Sequence, residues 1–291
     1  MDLHGIHVPL VTPFAADGTV AADALERLAD ELLAAGAAGL VALGTTGEPG
    51  SLDEAEKRTV LAAAAPVCRA HGAPLVVGVG GGDTRRTAEA LAALDGTADA
   101  ALVTVPAFVR PGRAGVLAHF RHLAEHSPVP LIVYHIPYRT GQQLDAGTLD
   151  EVLRLPGVAG VKYAAGGVDD TAVELLGRGH RGVLAGDDAH LSALMAIGAE
   201  GGILASAHLA TGQYAELADA WRKGDAARAR ELGHRLAALA RAAFAEPNPA
   251  VVKGVLHAQG RIPTPDVRLP LLPATPAAVA TALDRLAAVT E

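Results

Sequence analysis

The chain has 291 residues, is 50% hydrophobic and 19% charged, and carries a net charge of −8 with a single cysteine, Cys68. That balance excludes a disordered chain, an internal disulfide framework, a multi-cysteine zinc or iron–sulfur site and a basic footprint for nucleic acid. No apolar run reaches the ~18 residues of a membrane helix, and Met1–Gly5 lacks the features of a signal peptide, so a cytoplasmic protein is expected.

Short apolar runs alternate with longer segments rich in alanine, leucine and charge. The runs Gly5–Val11, Gly39–Leu43, Pro74–Val79, Ala100–Val105, Pro130–His135, Val158–Tyr163, Gly182–Ala185 and Gly202–Ala205 predict strands. Between them, Asp23–Ala35, Asp53–Ala70, Asp83–Leu94 and Arg113–His126 have helical periodicity, and the first three open on an aspartate suited to an N-cap. Most of the strand runs are continuously apolar, as in parallel strands buried on both faces. Such units, joined by right-handed crossovers, close into a (β/α)8 TIM barrel. An open doubly wound sheet fits less well, because Gly78–Asp83 has Asp83 where the third glycine of a dinucleotide fingerprint belongs. Beyond the last strand, Gln213–Trp221, Asp225–Ala245, Ala250–Gln259 and Pro276–Val289 read as helices. The expected division is a catalytic barrel over residues 1–223 and a C-terminal helical extension over 224–291 packed on it.

The site of such a barrel lies at the C-terminal ends of its strands. Lysine is the informative residue there. Of the 24 basic residues, Lys57 and Lys223 sit in charged helical contexts, and Lys253 lies in a segment, Asn248 to Lys253, read as a helix start with Pro249 at its first position. Lys162 instead ends an apolar strand with no charged neighbour nearby in sequence. Taking an amine out of water favours its neutral, nucleophilic form, which a Schiff base with a ketone requires. A structural pairing with Asp187 or Glu48 is the alternative. Tyr134, one of four tyrosines, ends the preceding strand and is a candidate proton relay or a core aromatic. Gly44–Glu48 offers backbone N–H groups and the hydroxyls of Thr45 and Thr46, a nest suited to a carboxylate or an ordinary turn.

These motifs, with Thr12-Pro13-Phe14, Tyr134-His135-Ile136-Pro137, Gly160-Val161-Lys162, Gly186-Asp187-Asp188 and Glu246-Pro247-Asn248-Pro249, run over nearly the whole chain. Together they resemble the dihydrodipicolinate synthase/N-acetylneuraminate lyase family of pyruvate-dependent class I aldolases. The resemblance implies a homotetramer built as a dimer of dimers. It makes Lys162 the residue that forms the imine with pyruvate or another 2-oxo acid, with Thr45 and Tyr134 as the proton relay. Thr45 and Thr46 would hold the substrate carboxylate, and Gly186 and Ile203 would be further substrate contacts. No metal or organic cofactor is implied, because the imine is itself the electron sink. The partners are then small molecules, a 2-oxo acid and an aldehyde, with no nucleic acid or membrane.

Arg139-Thr140-Gly141 resembles the synthase branch, in which this arginine contacts a carboxylate of the aldehyde; a surface ion pair is the plain alternative. Three departures point the other way. Phe108 stands where the synthases lend a tyrosine to a neighbouring subunit, His135 replaces an asparagine, and Tyr163 replaces a glutamate. They make a 2-keto-3-deoxy sugar-acid aldolase or dehydratase a credible alternative. A non-catalytic barrel that binds a 2-oxo acid for regulation is the alternative of another class.

Other signals weigh less. Asp187-Asp188-Ala189-His190 reads as a helix cap, with Asp188 as a candidate substrate contact. His119, His122 and His126 have metal-like spacing but are expected on a solvated helical face. Cys68 is expected to be simply packed.

Overall fold

The structure, a computed structural model, describes residues 2–290. In chain order the barrel elements are β1 (Gly5–Pro9), α1 (Ala22–Ala34), β2 (Gly39–Ala42), α2 (Glu54–His71), β3 (Leu75–Val79), α3 (Thr84–Ala92), β4 (Ala100–Thr104), α4 (Gly112–His126) and β5 (Leu131–His135). There follow α5 (Pro137–Thr140), α6 (Ala146–Leu153), β6 (Val158–Tyr163), α7 (Asp170–Gly177), β7 (Val183–Ala185), α8 (Leu191–Ala196), β8 (Gly201–Ile203) and α9 (Thr211–Lys223). The chain continues through α10 (Ala226–Ala243), α11 (Ala250–Ala258) and α12 (Pro276–Thr290). The eight strands form one closed parallel barrel in sequence order, so this is a TIM barrel.

Closure depends on β8 lying hard against β1, where Gly5 pairs with Gly201. A Cβ at Gly201 would fall 1.9 Å from the carbonyl oxygen of Gly5, so only glycine fits at that seam. Strand alternation then makes two cores. Val41, Val76, Leu102, Ile132, Leu184 and Ile203 fill the inside of the barrel. Val8, Leu40, Val77, Val103, Val133 and Val161 face the helical ring instead. The continuous apolar runs serve both layers at once, which is why they do not alternate.

Asp53 and Asp83 cap α2 and α3, and Asp53 completes a capping box with Glu56. Asp23 does not act as a cap: it lies in the first turn of α1, whose N-cap is Ala21. Pro249 is likewise one residue outside the expected position, at the N-cap of α11. Helices α5 to α8 escape the periodicity reading because each is at most eight residues long, shorter than the window that separates a helix from other patterns. After α9 the chain turns through Gly224 in the left-handed region, and α10 runs back along the barrel against α9 and α8.

Candidate active site

Alternation along β5 and β6 sends Tyr134 and Lys162 into the barrel, where the register sets them directly opposite each other. Lys162 is buried, and its Nζ lies 4.4 Å from the centre of the Tyr134 ring. Space for its stem comes from Gly186, where a Cβ would approach Lys162 Cγ to 2.9 Å. Neither carboxylate offered as a structural partner pairs with it. Asp187 Oδ2 accepts from the Gly166 backbone N–H at 2.7 Å. Glu48 Oε1 accepts from Lys253 Nζ at 2.9 Å, and Glu48 Oε2 accepts from the Arg268 backbone N–H at 2.9 Å. Among the described residues no carboxylate forms an ion pair with the Lys162 amine.

The loop after β2 winds one 3-10 turn over Thr45–Gly47. Two contacts pin it: Thr12 Oγ1 donates to the Gly47 carbonyl at 2.8 Å, and Glu48 takes a left-handed conformation (φ 55°) that turns its side chain down to Lys253. Lys253 Nζ also donates to the Thr12 carbonyl at 2.9 Å and lies 4.1 Å from the Phe14 ring centre. Burial pulls the Lys253 amine below its usual range, opposed by the Glu48 charge. Asn248, just before α11, donates through Nδ2 to Thr46 Oγ1 at 3.0 Å. With that lone pair occupied, the Thr46 hydroxyl proton is free for an acceptor in the cavity.

One cavity of about 470 Å³ at the C-terminal ends of the strands brings together all eight residues singled out in the sequence: Lys162, Tyr134, Thr45, Thr46, Arg139, Gly186, Ile203 and Asp188. Arg139 stands on α5, exposed, and its Nε donates to the Tyr138 hydroxyl at 2.8 Å. Among the described residues it has no carboxylate partner, so the surface ion pair weighed against it is not formed. Asp188 does not cap the helix that follows. Its Oδ2 accepts from the Ser206 N–H at 2.7 Å and the Ser206 hydroxyl at 2.6 Å, and that hydroxyl also bonds the Tyr214 hydroxyl at 2.6 Å. Burial pushes the Asp188 carboxyl up to about 6, against the pull of the Ser206 bonds and the Lys162 charge.

The three departures lie outside this cavity. His135 and Tyr163 point away from the barrel axis and pack on each other, ring centres 5.4 Å apart. The Tyr163 hydroxyl donates at 2.6 Å to Asp169, the N-cap of α7. Burial holds the His135 imidazole down to about 4, so it is neutral at pH 7. These two residues therefore carry no information about the second substrate. Phe108 is 95% exposed, with a left-handed backbone, and does not line the cavity of its own chain.

The histidines of α4 divide. His122 and His126 are exposed as expected, but His119 is buried, with Nδ1 2.9 Å from Thr84 Oγ1, and burial holds its imidazole down to about 4. Among the described residues no group of three or more His, Cys, Asp or Glu is placed to hold a metal ion. Cys68 is buried in α2, which pushes its thiol up to about 12. No described helix is long and apolar enough to cross a membrane. Asn248, expected only as part of a helix start, lines the cavity, as do Arg241 and Phe244, which no sequence signal singles out. Their chain segments lie far from any strand end, and only the Glu246–Pro249 motif hinted at one of them.

The family model described as Dihydrodipicolinate synthetase family matches residues 2–288. The chain is 37% identical over 270 residues to the 4-hydroxy-tetrahydrodipicolinate synthase of Pseudomonas aeruginosa, covering 92% of this chain and 91% of that one. It is 34% identical over 275 residues to 4-hydroxy-tetrahydrodipicolinate synthase 2 of Clostridium acetobutylicum, covering 94% and 96%. Its structure is similar to that of dihydrodipicolinate synthase from Thermotoga maritima, with a TM-score of 0.94 at 27% identity over 100% of this chain and 99% of that one. It is also similar to the chloride-inhibited synthase from Acinetobacter baumannii complexed with pyruvate, with a TM-score of 0.92 at 32% identity over 98% and 99%.

Proposed function

The chain belongs to the dihydrodipicolinate synthetase family, and from that premise we propose that Lys162 forms an imine with pyruvate whose enamine adds to an aldehyde bearing a carboxylate. The enzyme is a Schiff-base-forming lyase or synthase of the class I aldolase type. The observation that supports Lys162 in this role is its setting: a buried amine with no carboxylate partner among the described residues, facing an open cavity.

The Lys162 amine attacks C2 of pyruvate, and the carbonyl oxygen takes up two protons, one from the nitrogen and one through the relay, and leaves as water, giving a protonated imine. The imine withdraws electrons from C3, which loses a proton to give the enamine. C3 then bonds to the aldehyde carbon, and the aldehyde oxygen takes up a proton. Hydrolysis or cyclisation frees the amine. The imine is the electron sink, so no cofactor is part of the proposal. Tyr134 and Thr45 move the protons. The Thr46 hydroxyl, freed to donate by Asn248, binds the pyruvate carboxylate. Gly186 and Ile203 wall the reacting carbons, and Arg139 receives the aldehyde's carboxylate. Phenylalanine cannot carry a proton, so no relay runs through Phe108.

The assembly we propose is a homotetramer, a dimer of dimers. Phe108, Val109 and Tyr138, exposed at 95%, 58% and 70%, form the apolar face a second copy would cover.

The test is borohydride trapping with pyruvate, followed by peptide mass spectrometry. A reduced adduct on Lys162 is expected. Intact, folded protein that gives no adduct with pyruvate or longer 2-oxo acids sinks the proposal.

A further inference from the structure

Two arginines, not one, line the catalytic cavity. Arg139 arrives from the turn after β5 and Arg241 from α10 in the C-terminal extension, and both line the same space of about 470 Å³ as Lys162. Among the described residues Arg241 forms no ion pair or side-chain hydrogen bond, whereas Arg228, on the same helix, is bonded to Glu216 and Glu231. The carboxylates in the cavity wall are engaged elsewhere: Asp187 by the Gly166 N–H and Asp188 by Ser206.

Arg241 also opens onto a second cleft. Arg230, His234 and Arg241 fall four and seven residues apart along α10, and all three line a cleft of about 550 Å³ that no carboxylate lines. The two spaces share Ala189 and Arg241. Two arginines without ion-pair partners among the described residues, on a chain of net charge −8, concentrate anions where they stand. An exposed arginine without a partner offers its planar fork to a carboxylate or phosphate.

We infer that Arg241 is a specificity-determining residue that receives a second anionic group on the second substrate, beyond the carboxylate taken by Arg139. The preferred aldehyde then carries two acid groups. This inference rests on the imine reading above and narrows the substrate class of that site.

The test uses unreactive acids matched in length: glutarate against valerate, and adipate against hexanoate. Calorimetric titration of the full-length protein, with and without pyruvate, reads their affinities. At least one diacid is expected to bind about tenfold or more tightly than its monoacid. Arg241→Gln is expected to remove that preference, lowering diacid affinity more than monoacid affinity, while Arg241→Lys keeps part of it. Equal binding of diacid and monoacid, or a preference that survives Arg241→Gln, overturns the inference. Trapping with pyruvate on the same proteins separates the two readings. No adduct on the wild type defeats the imine reading, whereas an adduct without a diacid preference defeats only this one.

Discussion

Lys162 and Tyr134 face each other across neighbouring strands, the amine 4.4 Å from the centre of the ring. One residue thus offers two things: an aromatic face against the amine and a hydroxyl on the same ring. Substitution separates them. Tyr134→Phe keeps the face and loses the hydroxyl. It is expected to lower kcat by about 10²–10⁴-fold while Lys162 remains trappable with pyruvate, more slowly. Steady-state rates set against single-turnover trapping check this, and near-normal turnover would remove Tyr134 from the relay.

Arg139 lines the cavity without a carboxylate partner of its own among the described residues. Arg139→Ala is expected to raise KM for an acidic aldehyde about 10- to 100-fold, the scale of one charge-assisted hydrogen bond. Trapping with pyruvate should be unaffected. If KM for the acidic aldehyde does not move, Arg139 has no role in binding it.

Asp188 ties stability to pH. Its carboxyl is held at about 6 in the folded chain against 3.8 when exposed, first by burial. Between those values the folded chain holds the proton more tightly than the unfolded chain does. The contribution of this group is therefore full below about pH 4 and falls as pH rises through 6. Asp188→Asn keeps an acceptor for both Ser206 bonds and removes the titration. Denaturant unfolding across pH should show a gain on the order of 1–3 kcal/mol at pH 7, fading towards pH 4. Parallel pH curves for the two proteins would show that Asp188 does not titrate in this way.

Lys253 and Glu48 form a buried pair beneath the Thr45–Thr46 loop. Lys253→Met leaves Glu48 as an uncompensated buried charge, at a cost of about 3–5 kcal/mol. Lys253→Met with Glu48→Gln should recover much of that loss. Because Glu48 anchors the loop, the single variant should also raise KM for pyruvate. A double-mutant cycle by chemical denaturation measures the coupling, and additive effects would mean the two side chains do not act as a pair.

Much of this protein was determined by its sequence alone. Eight apolar runs, punctuated by turn residues and separated by helix-length segments, allow few closed arrangements. A lysine at the end of one of those runs marks the reactive end of the barrel. Local periodicity carries such information because it reflects which faces of a segment must leave water. Tertiary structure alone decided the rest. The phase of β5 and β6 turns His135 and Tyr163 outward while Tyr134 and Lys162 point inward, and that phase is set by register across the closed sheet. Lys253 reaches Glu48 across 205 residues, and Asn248 reaches Thr46 across 202. No local pattern encodes such contacts, because they form only when the C-terminal helices dock and bury those groups together.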